Sequence, residues 1–282
     1  MINLIINPDT KKHLDNYFVA PAQSLILVGP TGSGKASLAR SIAEQVIGLE
    51  SGQIDSYPYV LLLAPEDGKS IGIEAARSLE QFLSLKVPGN KDFDRAVIVD
   101  EAHKLTIEAQ NALLKTLEEP PKGTIIILNT THEQALLPTI RSRAQSITIG
   151  RPDSADLKAH FTSLGTDFEK FYSLSGGLPG LISDLSTDSE HPLLVASDTA
   201  KQILSRNLYE RLIMVDELSR NKALATDTMK ILQRMARLML ANDKIKNSQQ
   251  WQKVLSASYT CLENLNSNAQ PKLSLTNFML SL

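Results

Sequence analysis

Residues 97–121 read VIVDEAHKLTIEAQNALLKTLEEPP and constrain the fold more tightly than any other stretch of the chain. The apolar run Val97, Ile98, Val99 has the character of a buried strand, and it ends in two adjacent carboxylates, Asp100 and Glu101. Two carboxylates at the tip of a buried strand are costly unless something there uses negative charge, and a magnesium–nucleotide site would do so. A polar link then leads to Thr106, a residue suited to capping a helix N-terminus. Leu113, Leu114 and Leu117 recur at helical spacing, with Asn111, Lys115 and Glu118 on the other side. Pro120 and Pro121 stop the helix, because proline lacks an N–H and disfavours helical geometry in the residue before it.

The chain has 282 residues, enough for roughly two or three domains. Its 42% apolar and 21% charged residues argue against long disordered stretches. A net charge of −2 supplies no bulk basic field, so any DNA contact would have to come from backbone amides, helix N-termini or a small basic patch. The single cysteine, Cys261, excludes an internal disulfide and any cysteine-based zinc site, and it fits a reducing cytosol. No apolar run approaches the roughly 20 residues of a membrane span. Met1, Ile2 and Asn3 open no cationic segment, so a secretory leader is not expected and the expected compartment is the cytoplasm.

Near the N-terminus a helix is expected around Lys11 to Phe18, followed by a buried strand from Ser24 to Val28. Gly29, Pro30, Thr31, Gly32, Ser33, Gly34, Lys35 and Ala36 come next, then a helical pattern from about Ser37 to Ile47 with Gly48 as its stop. Strand, glycine-rich turn and helix in that order are the context of a phosphate-binding loop. The glycines let backbone N–H groups wrap phosphate oxygens and the helix N-terminus adds a favourable dipole. Lys35 is spaced to reach the outer phosphates. Ala36 stands where Ser or Thr would offer Mg2+ a hydroxyl, and Ser37 should point elsewhere around the helix. The loop is therefore expected to hold ATP or ADP with metal positioning impaired.

Further strands are expected at Tyr59 to Leu63, Thr124 to Leu128 and Ser146 to Ile149, with a helix from Ile73 to Leu85 that includes Ala76. Apolar strands alternating with helices indicate a parallel sheet covered on both faces. The phosphate loop, Asp100/Glu101 and Asn129–Thr131 all follow strand C-termini, the edge of an open α/β sheet where ligands bind. From Arg151 and Pro152 the sheet pattern stops. Helices are expected from Asp153 to Leu164 and from Phe168 to Leu174, then a tight loop from Ser175 to Gly180 ahead of a helix from Leu181 to Leu185. A Ser/Thr/Asp-rich link from Ser186 to Pro192 reads as a boundary. Beyond it come helical stripes: Leu208, Leu212, Val215 and Leu218; Ile231, Met235, Leu238 and Met239; Trp251, Val254, Leu255, Tyr259 and Leu262; and finally Leu275, Phe278, Met279 and Leu282. Such stripes are ordinary helix-bundle core.

These residues resemble the clamp-loader branch of the AAA+ ATPases almost end to end. Gly29 to Lys35 is similar to its Walker A loop, Val97 to Glu101 to its Walker B strand, and Gln110 to Pro121 to the signature helix of that branch. Leu136 to Ala144, LLPTIRSRA, resembles the segment with the Ser-Arg-Cys motif, Ala144 replacing the cysteine. The helical last third, with Asn266 to Leu273, matches too. The resemblance implies a nucleotide-binding α/β domain over residues 1–150, a helical lid over 151–187 and an all-helical collar for oligomerisation over 188–282. It implies that Asp100 helps hold Mg2+, that Glu101 polarises the attacking water, and that Thr130 or Thr131 senses the γ-phosphate. Arg143 would be an arginine finger acting in trans on a neighbour's ATP. Simpler readings remain beside these: Arg143 as a surface cation, the two threonines as satisfiers of strand-end backbone, His103 as a solvated or capping residue, and the Asn111/Lys115/Glu118 face as a wet helix side.

The departures point one way. Where catalytic subunits of that branch carry a lid arginine after a Gly-x-Pro turn, Leu178-Pro179-Gly180 supplies a glycine. Zinc-binding cysteines are absent between Ile47 and Tyr59, so no zinc is expected. The resemblance thus implies a stator in a hetero-pentamer that loads a sliding clamp on primer–template DNA, with little ATPase of its own and no membrane partner. An active motor ATPase, a small-molecule kinase and a scaffold that binds no nucleotide are the alternatives.

Overall fold

Strands that are apolar along nearly their whole length can be satisfied only inside a sheet covered on both faces, and the first half of the chain builds one. The computed structural model describes residues 4–65, 70–87, 92–241, 248–267 and 269–282. The expectations that touch Met1, Ile2, Asn3, the side chain of Ala76, and Asn268 lie outside the described residues. The chain divides into two compact units, Met1–Ile182 and Ser183–Leu282. No described helix is long and apolar enough to cross a membrane.

The first unit runs α1 (Pro8–Val19), β1 (Ser24–Val28), α2 (Lys35–Ile47), β2 (Val60–Leu63), α3 (Ile73–Ser84), β3 (Phe93–Val99), α4 (Ile107–Glu118), β4 (Gly123–Thr130), α5 (Pro138–Arg141), β5 (Gln145–Thr148), α6 (Ser154–His160), α7 (Asp167–Ser175) and the first turn of α8 (Pro179–Thr187). The strands form one sheet in the order β2-β3-β4-β1-β5, every pairing parallel. Alternation along the strands divides the core. Leu25, Leu27, Ile125 and Ile127 pack with α1 and α2 through Leu14, Tyr17, Leu38 and Ile42. Ile26, Val97, Val99, Ile126 and Leu128 face the other way, onto Leu113 and Leu117 of α4 and Ile140 of α5.

Local signals set most boundaries. Gly48 closes α2 in the left-handed region at φ +80° and returns its N–H to the Glu44 carbonyl at 2.9 Å. The Thr106 hydroxyl accepts from the Ala109 N–H at 3.2 Å to start α4, which ends ahead of Pro120. Two expectations need correction. Asp153 to Leu164 is not one helix: Phe161 leaves helical geometry at ψ 36°, and residues 162–164 form a separate 3-10 turn closed by Gly165. The segment expected as a loop up to Gly180 already belongs to α8 from Pro179, whose missing N–H costs nothing at a first helical position.

The second unit is helical: the rest of α8, then α9 (Pro192–Ser205), α10 (Leu208–Arg220), α11 (Lys222–Leu240), α12 (Ser248–Asn266) and α13 (Pro271–Ser281). α11 packs on α9 and α12, and α13 on α10 and α12. Leu275, Phe278 and Met279 are buried as expected. In α11, Ile231 is buried as expected, but the inward face otherwise runs through Ala225, Met229, Leu232 and Ala236, while Leu238 is 57% exposed. In α12 it is Val254, Ser258, Cys261 and Leu265, while Tyr259 is 38% exposed. Small residues make the closest helix contacts, so the largest side chains do not mark the seam. Burial pushes the Cys261 thiol up to about 11. In urea denaturation followed by far-UV circular dichroism, Leu232→Ala should cost about 2–5 kcal/mol, whereas Leu238→Ala should stay within about 0.5 kcal/mol of the parent.

Candidate nucleotide site

β1 runs into a turn in which Gly32 and Gly34 hold φ +81° and +84°, a region that L side chains rarely adopt. Gly34 caps α2, whose first N–H groups have no intrahelical partner and carry the positive end of the helix dipole. The Ser33 hydroxyl is buried without a hydrogen-bond partner. A ring of amides and an orphaned buried hydroxyl fit phosphate oxygens, so the residues present suit the phosphates of a nucleotide. Lys35 is buried and turned onto its own loop: Nζ donates to the carbonyls of Gly29 at 2.7 Å and Pro30 at 2.8 Å. Burial holds its pKa below the usual lysine value, and Asp100 and Glu101 pull it back up. Pro30, Thr31 and Ser37 are exposed, and Ala36 brings no hydroxyl to a metal.

β4 lies between β1 and β3, which brings Asn129, Thr130 and Thr131 between the loop and the acidic tip. The Gly29 N–H donates to the Thr130 carbonyl at 3.1 Å. Asp100 Oδ1 accepts from Asn129 Nδ2 and from the Glu101 N–H, both at 3.2 Å, while Asn129 Oδ1 is buried without a partner. Glu101 has a positive φ of 49°, the one such non-glycine among the described residues. That conformation costs on the order of 1 kcal/mol and aims the chain out of the strand. The Glu101 carboxylate pairs with Lys104 at 2.8 Å.

The two threonines differ. Thr130 is fully buried, and its hydroxyl both donates to the His132 carbonyl and accepts from the His132 N–H at 3.1 Å. The Thr131 hydroxyl lies 2.8 Å from His132 Nδ1 and 3.4 Å from His103 Nε2. His103 is thus more than a solvated residue: its ring meets His132 edge-on at 5.9 Å. Burial lowers its pKa, opposed by Glu101. Sequence reasoning passed over Lys104, although a cation three residues after a glutamate is a readable pairing signal. No sequence pattern announces the Thr131–His103–His132 contact.

The start of α8 sits on the loop. The Leu181 N–H donates to the Gly32 carbonyl at 3.1 Å. A Cβ at Gly180 would meet the Gly32 oxygen at 2.9 Å and the Gly34 nitrogen at 3.2 Å, and one at Gly32 would meet Leu181 Cβ at 2.8 Å. Glycine at 180 is therefore a packing requirement, and no side chain of any length fits there without displacing the helix or the loop.

Arg143 follows α5 on the surface, its side chain 37% exposed. Nη2 pairs with Glu118 at 2.9 Å and Nη1 donates to the Thr139 carbonyl at 3.0 Å. Gln110, inside α4, is buried and fully used: Nε2 donates to the carbonyls of Leu105 and Ala135 at 3.2 Å, and Oε1 accepts the Leu137 N–H at 2.8 Å. It ties α4 to the segment that carries α5 and Arg143.

A phosphate loop after β1, an acidic tip after β3 and a helix start seated on that loop, all on a 2-3-4-1-5 parallel sheet, define an AAA+ domain of the P-loop class, followed here by a helical unit. The chain belongs to the family described as DNA polymerase III, delta subunit, whose model matches residues 8–153. It is 30% identical over 143 residues to the DNA polymerase III subunit delta' of Haemophilus influenzae, covering 46% of this chain and 43% of that protein. Against the delta' subunit of Pseudomonas aeruginosa it is 29% identical over 180 residues, covering 56% of this chain and 54% of that one. The chain thus spans about half the length of these relatives. Among solved structures, a DNA polymerase III gamma subunit-related protein from Thermotoga maritima superposes with a TM-score of 0.65 at 23% identity, over 96% of this chain and 98% of that one, a likeness of fold.

Gly180→Ala should lower stability by about 1–3 kcal/mol, because a methyl group there collides with backbone. Gly72→Ala, where a Cβ meets nothing within 4 Å and only the N-cap preference of α3 is affected, should cost less, about 0.5–1 kcal/mol. Thermal denaturation of the two variants compares them directly.

Proposed function

We propose that this chain is a delta-prime-like subunit of a clamp loader, a stator with weak or no ATPase of its own that supplies an arginine finger to a neighbouring ATP site. The observation that carries the reading is Gly180. At the place from which a lid arginine would reach a γ-phosphate, a glycine is lodged against Gly32 and Gly34. Ala36 removes the metal-binding hydroxyl, and Lys104 occupies the Glu101 carboxylate. Losing one such charged donor commonly costs roughly 10²–10³-fold in turnover, so the two departures together leave little hydrolysis.

In this reading Gly29 to Ser37 cradle ATP or ADP through backbone amides and Lys35, and Asp100 takes weak hold of Mg2+. Lys35 would hold the phosphates, whose negative charge would complement its ammonium group. Thr131, whose hydroxyl lies beside His103 and His132, is better placed than Thr130 to sense a phosphate, since the Thr130 hydroxyl is consumed by His132 backbone. The partners are other clamp-loader subunits in a hetero-pentamer, the sliding clamp and primer–template DNA in the cytoplasm. Support for such an assembly comes from the relatives, named as delta' and, in Mycobacterium tuberculosis at 36% identity over 132 residues, gamma/tau subunits of DNA polymerase III.

A second reading, an active motor subunit, draws on the presence of Lys35, Asp100 and Glu101 together. Steady-state hydrolysis separates the two: the purified chain should turn over ATP at or near background, and brisk turnover would favour the motor. Isothermal titration should show ATP or ADP affinity changing little when Mg2+ is added. Arg143→Ala should lower the ATPase of the complex reconstituted with motor subunits, by on the order of 10³-fold at the site it serves, with nucleotide binding to this chain unaltered.

A further inference from the structure

Glu118 is the last residue of α4, where the exposed carbonyl end of the helix carries partial negative charge. An acidic side chain there works against the helix, whereas Lys115 one turn earlier suits it. Helix stability therefore gives no reason for Glu118. Its carboxylate instead meets Arg143, 25 positions along the chain and on a different element, at 2.9 Å. The same guanidinium donates through Nη1 to the Thr139 carbonyl at 3.0 Å, so it is held from two directions, by α4 and by α5. The two supports cannot drift apart, because buried Gln110 bonds α4 to the Leu137 N–H and the Ala135 carbonyl just ahead of α5. Arg141, two residues earlier, has no comparable arrangement: its Nε is buried without a hydrogen-bond partner.

We propose that Glu118 is a positioning residue that holds the Arg143 guanidinium, together with the Thr139 carbonyl, in the orientation it presents to a phosphate anion of a neighbouring subunit. This deepens the arginine-finger reading and rests on it. An arginine on a free four-bond stem loses much rotamer freedom when it engages a ligand, and a finger already held in place has lost it beforehand. The holder must also be easy to leave or share. Both partners are part-exposed, the Arg143 side chain at 37% and Glu118 at 52%, so solvent screens the pair. The guanidinium carries five N–H donors, more than these contacts engage, so an incoming anion is met without first breaking the pair.

Two measurements test it. On the isolated chain, the 15N order parameter of the Arg143 Nε–H should fall in Glu118→Ala and be largely kept in Glu118→Gln, whose amide oxygen still accepts from the guanidinium. In the complex reconstituted with motor subunits, Glu118→Ala should lower ATP turnover by about two- to five-fold, the span such an exposed pair commands, with KM for ATP unchanged and Glu118→Gln recovering most of the loss. In an Arg143→Ala background Glu118→Ala should add nothing, since the two act as one unit. An unaltered turnover in Glu118→Ala, where Arg143→Ala does lower it, overturns the positioning role alone. An equal loss in the Arg143→Ala background also overturns it, because Glu118 would then act elsewhere. If Arg143→Ala itself leaves the complex unaffected, the finger reading falls and this role falls with it.

Discussion

The site depends on where β4 runs. Because β4 lies between β1 and β3, three segments far apart in the chain end at one edge of one sheet. The backbone bond from Gly29 to Thr130 joins the phosphate loop to the end of β4, and the Asn129 amide joins that same end to Asp100. Both faces of this strand are dry, with Ile125 and Ile127 on one side and Ile126 and Leu128 on the other. A one-residue slip in its register would exchange those faces and move every partner of the site at once. The chemistry at the edge is thus only as well aligned as the apolar packing beneath it.

Within that frame, several groups at the site have partners within the chain, although the Ser33 hydroxyl does not. Lys35 is spent on Gly29 and Pro30, the Gly32 carbonyl on Leu181, and Glu101 on Lys104. A neutral hydrogen bond contributes roughly 1 kcal/mol and one made by a charged group such as the Lys35 ammonium roughly 1.5–3 kcal/mol, while an exposed ion pair contributes less than about 1 kcal/mol. A ligand that engages Lys35 or Glu101 therefore exchanges these contacts for its own, which lowers its net gain. A cradle of this kind does not forbid phosphate, but it favours the state in which loop and α8 hold each other. Gly180 makes that state possible: with any larger residue the helix start cannot approach the Gly34 nitrogen.

Much of this was legible in the residues. β1 has the expected bounds, α2 stops at the expected glycine, and Thr106 caps α4 as its side chain requires. These are local signals, settled within a few residues of chain. The failures are of another kind. The seam of α11 runs through Ala225 and Ala236, which a search for large apolar side chains ignores, and that of α12 through Ser258, whose hydroxyl is satisfied by its own helix at the Leu255 carbonyl. Arg95 is buried at 4% exposure because its guanidinium gathers the Phe82, Leu83 and Leu85 carbonyls at the end of α3, a partnership set by β3 lying beside that helix end. At the site, the loop and the acidic tip were readable as motifs. The partners of Lys35 and of the Gly32 carbonyl are set by the folded backbone, and nothing in the residue pattern signals them.

α4 runs from just past the acidic tip to the residue that pairs with Arg143. Its twelve residues span about 18 Å. At one end Thr106 anchors it just past Glu101; at the other Glu118 reaches Arg143. Gln110 clamps its middle to the segment leading into α5. The acidic tip and the Arg143 guanidinium therefore lie at opposite ends of one helix. Ala36 and Gly180 belong to the cradle and lie outside that helix. On the proposed reading, a subunit could lack the groups that drive hydrolysis and still present an oriented arginine, because the contacts that hold Arg143 come from α4 and α5.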